Sequence, residues 1–226
     1  AKLSIPENVT MIEKTAYSKE MTHPIVSGNT QFAFDLYAQL KEQNRNLFFS
    51  PYSISTAMAM TYTGTKSETA KQIAQTLHFS LAQTQLHKHY GYLIDQLNQQ
   101  GWKGDYQLSI ANALWLQKDY HFLQAFLGLT STHYDASCNE VDFIKETEQS
   151  RKKINDWTAK RTQGKIKDLI PEGVLNAMTR LVLTNAIYFK GDWANKFDKD
   201  KTVDASFYLT PNKTVMASLM FQKEKF

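Results

Sequence analysis

The sequence predicts an α+β fold in which several helices pack around large, mainly antiparallel sheets. Helix-type apolar stripes follow capping residues at several places, long strand-type patterns occupy residues 108–116 and 181–189, and a hairpin pattern surrounds residues 210–213. With 226 residues, of which 42% are hydrophobic, the chain can bury a substantial core. We expect one intertwined unit rather than two small domains.

The beginning of the chain is expected to be held loosely. Residues 1–27 show no sustained hydrophobic period and contain Pro6 and Pro24, so they are interpreted as a loosely ordered N-terminal leader. From Asn29 the apolar residues recur at the spacing of an amphipathic helix that reaches Leu40.

The local chemistry changes abruptly at residues 46–54, which read Asn-Leu-Phe-Phe-Ser-Pro-Tyr-Ser-Ile. Residues 47–49 are short and apolar and predict a buried strand. Ser50 followed by Pro51 is typical of a helix start, because the hydroxyl can accept from an unpaired N–H and proline has no N–H to satisfy. We expect this helix to end near Gly64.

The remaining elements follow from the same rules of period and capping. A nearly continuous apolar run at 181–189, with Asn185 as its polar exception, predicts a central strand covered on both faces. Charges surround Ile154 and Trp157, which predicts a solvated helix resting on a flat surface and stopped by Gly164. Other predicted elements are a helix capped by Ser67, a helix over 86–97, a strand over 108–116, a helix near 123–129, a strand at 141–143, a helix over 146–162 and a hairpin with strands at 206–209 and 215–220.

Composition excludes several classes of partner. A net charge of +4 with scattered basic residues indicates solubility rather than binding of nucleic acid. No apolar run approaches the roughly eighteen residues of a membrane span, so no membrane partner is expected. The single cysteine, Cys138, excludes an internal disulfide. The sequence leaves the compartment open, with an extracellular or periplasmic location favoured over a cytoplasmic one; the glycosylation patterns at Asn8 and Asn212 are short enough to arise by chance.

The spacings that catalysis and metal binding require are missing, so we expect no enzyme, no cofactor and no metal site. Nucleotide-binding glycine patterns, nucleophile elbows and zinc-helix patterns do not occur. Asp198 begins a calcium-loop pattern that fails at Val203 and Leu209. His87 and His89 diverge on a predicted helix and are interpreted as solvated.

Three segments together resemble the serpin family of shape-changing protease inhibitors. Residues 46–64 are similar to the family's link from a buried strand to helix B, and residues 154–170 resemble helix F with its exit loop. The segment Leu-Thr-Asn-Ala-Ile-Tyr-Phe-Lys-Gly-Asp-Trp at 183–193 is similar to the third strand of sheet A and its continuation. Thr158 and Thr184 depart from the valine that the family more often has.

The resemblance implies a serpin-like fold with sheet A and parts of sheets B and C. Residues 28–226 would be the N-terminal portion of a single serpin domain, and a complete serpin would add a C-terminal part that carries the reactive-centre loop. A complementary C-terminal polypeptide of the same protein is therefore one expected partner. The other expected partner is a target protease, with the serine class favoured.

The resemblance also implies a function and a set of conformational residues. Inhibitory serpins act by irreversible suicide inhibition, in which the cut loop inserts into sheet A. A non-inhibitory serpin that serves as carrier, chaperone or storage protein stays an open alternative. Ser50, Ser53 and Asn185 match the shutter beneath sheet A, Trp193 matches the breach where insertion begins, and Gly164 lies in the exit loop of helix F. From the residues alone, Ser50 could equally be a helix cap and Asn185 a satisfied core amide.

Overall fold

A computed structural model describes residues 22–43, 45–103 and 106–223 of the chain. Residues 1–21 of the predicted leader lie outside the described part of the chain, and the structure therefore does not test that part of the prediction. The elements in chain order are α1 (His23–Leu40), α2 (Pro51–Tyr62), α3 (Ser67–Thr76), α4 (Gln83–Lys103), β1 (Tyr106–Gln117), α5 (Gln124–Tyr134), β2 (Ala136–Val141), α6 (Thr147–Arg161), β3 (Leu181–Gly191), β4 (Val203–Thr210) and β5 (Lys213–Leu219).

Helix α1 begins at His23, so the predicted start at Asn29 was wrong. Pro24 lies in its first turn, where an N–H has no helical partner and proline therefore costs little. The helix buries Gly28, and a Cβ at that position would stand 2.5 Å from the carbonyl oxygen of His78. Glycine is therefore required there for close packing.

Helix α2 begins as the sequence predicts. The hydroxyl of Ser50 accepts a hydrogen bond from the backbone N–H of Ser53 at 3.2 Å, and Pro51 follows the cap. The predicted strand at 47–49 is wrong, since no strand pairs with these residues in the described part of the chain and Phe48 is fully exposed. Apolar character alone cannot make a strand without a partner.

The larger sheet has the order β2-β1-β3, with β2 parallel and β3 antiparallel to β1. Strand β3 was predicted to be central, but within the described residues β1 is central and β3 lies at the edge. The predicted strand at 141–143 was misplaced, because Phe143 is buried beyond the end of β2 rather than within it. Its burial reflects packing in the core beneath α6 and not pairing in the sheet.

Helices cover both faces of this sheet. One core lies between the sheet and helices α2, α4 and α5, and it includes Met60, Tyr90 and Leu114. The other core lies under α6, where Ile154 is buried with Ala113. The narrow apolar stripe of α6 therefore rests on the sheet, as predicted. The predicted hairpin is also confirmed, since β4 and β5 pair antiparallel as a separate sheet.

Candidate functional site

A chain of side-chain hydrogen bonds joins helix α2 to the middle of the larger sheet. The hydroxyl of Ser53 donates to Oδ1 of Asn185 on β3. The Asn185 amide donates in turn to Oδ1 of Asn112 at 2.7 Å, and the Asn112 amide donates to the backbone carbonyl of Tyr134 at 2.7 Å. We call Ser53, Asn185, Asn112 and the Tyr134 carbonyl the polar bridge. It connects α2, β3, β1 and the end of α5.

The sequence located two members of the polar bridge and missed a third. Asn185 and Ser53 were predicted as shutter residues and make direct contact, and the third predicted residue, Ser50, caps α2 by accepting from the Ser53 N–H. Asn112 was not predicted, although it is 3% exposed and stands opposite Asn185 in the antiparallel register. An amide inside the apolar pattern at 108–116 was the available signal, but its partner depends on a register that sequence does not give.

The polar bridge links α2 to two strands of the sheet by hydrogen bonds that can be exchanged. Its bonds between Ser53, Asn185 and Asn112 run between side chains, so they can break without disrupting the backbone ladder between β1 and β3. Asn185 is only half buried, because β3 is the edge strand of the described sheet. A group that approaches this edge could therefore replace one of its hydrogen bonds. Leaving a buried amide unpaired instead costs about 1–3 kcal/mol.

Beneath α6 the sheet contains a second buried polar contact. The indole N–H of Trp115 donates to the hydroxyl of Thr184 at 3.0 Å, and the ring of Trp157 on α6 meets the Trp115 ring edge-on at 6.1 Å between centroids. Valine at position 184 could not accept from the indole. The departure at Thr184 therefore has a structural role in this chain.

Replacing Thr184 by valine is expected to lower the free energy of unfolding by about 1–2 kcal/mol, because the buried Trp115 N–H loses its acceptor. Thr158→Val is the matched control. That hydroxyl is also buried, but it donates only to the Ile154 carbonyl of its own helix, so its loss should change stability by less than about 0.5 kcal/mol. Urea unfolding of the full-length protein measures both. Equal decreases in the free energy of unfolding for the two variants would contradict the role assigned to Thr184.

The segment after α6 folds back and is fastened to the helix by an amide. Asn155 accepts from the backbone N–H of Ile170 at 2.9 Å and donates to the Ile170 carbonyl at 3.0 Å. Arg151 donates to the same carbonyl at 2.9 Å. Gly164, predicted to stop the helix, has φ of +73°, a left-handed conformation that glycine adopts without strain. The exit loop is thus a closed strap fastened to α6, with Ile170 buried in the core beneath the helix.

Trp193 lies apart from the polar bridge. Its side chain is 64% exposed and meets Phe197 edge-on at 5.4 Å between ring centroids. The described residues therefore do not bring the predicted breach residue into contact with the predicted shutter residues.

Asp198 and Cys138 both lie among the residues that the structure describes. No three His, Cys, Asp or Glu side chains in them are grouped to hold a metal ion. The Asp198 carboxylate caps a short turn by accepting from the Asp200 N–H at 3.1 Å. Cys138 is half buried in β2, and burial raises the pKa of its thiol. In the part of the chain that the structure describes, no helix has the length and apolar character to cross a membrane.

Comparison with known proteins gives one consistent result. Residues 27–226 match the family model described as Serpin (serine protease inhibitor). The chain is 43% identical to leukocyte elastase inhibitors of Xenopus laevis and Homo sapiens, over 88% of its own length and 53% and 52% of theirs. The chain therefore spans about half the length of these relatives. A solved structure of cleaved kallistatin complexed with heparin matches with a TM-score of 0.83 and 33% identity, over 90% of this chain and 60% of that one.

Proposed function

The chain belongs to the serpin family, and on that premise we propose that the full-length protein irreversibly inhibits a protease of the serine class. The observation that carries the proposal is the 43% identity to proteins named leukocyte elastase inhibitor. An elastase-like enzyme is accordingly the first target to test. The protein would be consumed in the reaction, and we therefore propose that it has no catalytic turnover of its own.

The proposed reaction begins at an exposed loop outside this sequence. The protease serine attacks a loop carbonyl, the peptide bond breaks, and an ester joins the loop to the enzyme while the new amine end departs. The cut loop then enters the larger sheet as an additional strand and carries the protease with it. Water cannot complete hydrolysis of the ester if this movement distorts the protease first.

The described residues supply parts suited to such a movement. The polar bridge fastens the sheet to α2 through Ser53 and Asn185 by bonds that can be exchanged as the sheet opens. Helix α6 lies across the sheet with Ile154 packed in the core beneath it, and its strap is held by Asn155 and Arg151, so insertion of the loop would have to displace this helix against those contacts. Trp193 is proposed to lie where insertion begins.

Incubation with active proteases tests the proposed function. The full-length protein is mixed with elastase-like, trypsin-like and chymotrypsin-like enzymes, and at least one is expected to give an adduct that survives boiling in SDS. The same enzymes with their serine chemically blocked should give no adduct, because no ester can form. Cleavage of the protein without any adduct across all three enzymes would contradict the proposal.

A further inference from the structure

Helix α4 contains a histidine that is buried, contrary to the solvated position predicted for it. His87 is 1% exposed, and its Nδ1 lies 2.7 Å from the hydroxyl of Tyr134 at the end of α5. Its Nε2 lies 3.5 Å from the hydroxyl of Thr63, the residue after α2. The imidazole therefore ties together three helices that cover one face of the sheet.

The surroundings of His87 offer a positive charge no compensation. Helix α2 has no charged side chain and contributes Tyr62, whose ring lies 6.2 Å from the imidazole. Helix α5 contributes His133, which repels a positive charge on His87, and Lys88 in turn repels a positive charge on His133. Among the acidic groups of this region, burial and the nearby Asp95 carboxylate raise the pKa of Asp135, and the Arg161 guanidinium opposes this shift.

Tyr134 connects this histidine to the polar bridge through two different groups. Its hydroxyl contacts His87, while its backbone carbonyl accepts from the Asn112 amide at 2.7 Å. Asn112 holds Asn185, which holds Ser53. The Tyr134 side chain is fully buried, so it cannot move without disturbing the end of α5. Helices α4 and α5 also approach closely, since a Cβ on Gly91 would lie 2.8 Å from the His133 carbonyl.

We propose that His87 and Tyr134 form a pH-sensitive latch on the polar bridge, in which protonation of His87 loosens the end of α5 and makes the sheet easier to open. The latch rests on contacts among the described residues. Its consequence for inhibition, faster loop insertion in mild acid, rests on the proposed function. The contact between α4 and α5 has a closed and an open state. Protonation of His87 favours the open state, because the buried site accommodates only the neutral imidazole.

The direction of the pH effect follows from burial. Burial, together with His133, lowers the pKa of His87 from 6.5 to about 4. A chain in which this site has opened therefore takes up a proton below pH 6.5 that the closed fold refuses until about pH 4. The stabilisation is complete above pH 6.5 and is lost as the pH falls towards 4. Opening should rise by up to about tenfold for each pH unit in this window.

Amide hydrogen exchange of the full-length protein measures this opening. Exchange rates of the peptides that contain Asn112 and Asn185 are divided by their intrinsic rates at each pH between 4 and 7.5 to give an opening constant. We expect the constant to rise about a hundredfold from pH 6.5 to pH 4 in the wild type. His87→Gln should reduce that rise to about tenfold or less, because glutamine carries no titrating group and the acid-dependent opening that remains comes from His133, whose pKa burial also lowers.

Two further variants make the test decisive. His121→Gln is the matched control, since His121 is exposed before α5, and it should keep the wild-type profile. Tyr134→Phe retains the ring but removes the hydroxyl through which His87 is joined to the end of α5, so the rise at the Asn112 and Asn185 peptides should be smaller than in the wild type. If His87→Gln does not fold, this smaller rise alone decides. Profiles of His87→Gln or Tyr134→Phe that match the wild type would overturn the latch.

The same samples separate the latch from the proposed function. Adduct formation with the protease panel is measured at pH 7.5 for the wild type. A pH-dependent opening constant without any adduct supports the latch and contradicts the inhibitor proposal. An adduct together with an opening constant that ignores His87 overturns the latch and leaves the inhibitor proposal standing.

Discussion

Replacement of Ile154 by alanine is expected to lower the free energy of unfolding of the full-length protein by about 3 kcal/mol, within the range of about 2–5 kcal/mol for such core truncations. The side chain is fully buried between α6 and the sheet, in contact with the core that contains Trp115 and Phe143. Its removal leaves a cavity under a helix that rests on the sheet by a narrow stripe. Urea unfolding measures the loss, and hydrogen exchange at residues 113–115 should rise with it.

Ile144→Ala is the matched control for this prediction. Ile144 lies just before α6 and is 50% exposed, so the same truncation should cost less than about 1 kcal/mol. A comparable loss from both variants would mean that α6 does not depend on its contact with the sheet. That result would also mean that packing against the sheet does not oppose displacement of α6.

Replacement of Asn185 by leucine is expected to destabilise the sheet by about 2–4 kcal/mol while leaving the helix and strand content unchanged. The Ser53 hydroxyl and the Asn112 amide oxygen each lose a hydrogen-bond partner, and each unpaired buried group costs about 1–3 kcal/mol. Under the proposed function the sheet opens more readily, so polymerisation on mild heating should be at least tenfold faster. Circular dichroism and light scattering measure the two effects.

The control for Asn185 is Asn139→Leu on β2. The Asn139 amide contacts Ser137 of its own strand and the Leu114 carbonyl, and it does not join the sheet to a helix. We expect its polymerisation rate to stay within about threefold of the wild type, equivalent to less than about 1 kcal/mol. Equal rates for the Asn185 and Asn139 variants would exclude the polar bridge from control of sheet opening.

Short-range chemistry explains the elements that were predicted correctly. The start of α2 depends on a hydroxyl and an N–H three residues apart, Ser50 and Ser53, and the turn of the hairpin depends on a few consecutive residues. The alternating pattern of β1 and the narrow stripe of α6 are likewise visible within one segment. Residues that are neighbours in sequence carry the whole signal in these cases.

Long-range pairing explains the failures. Phe48 is as apolar as a buried strand residue, yet the described residues provide no strand beside it. The position of β3 at the edge of the described sheet could not be predicted either, because a continuous apolar run does not indicate how many strands pair with it. Asn112 was missed for the same reason, since its bond to Asn185 spans 73 positions.

The sequence by itself determined the α+β class, the family resemblance and Asn185 as the polar exception in an apolar strand, and Ser53 was named only through that resemblance. Only the tertiary structure decided that Asn112 completes their bridge and that Tyr134 extends it to a buried His87. The physical reason is that caps and periods are set by neighbouring residues, whereas burial of an imidazole 47 positions from its tyrosine exists only after helices α4 and α5 have packed.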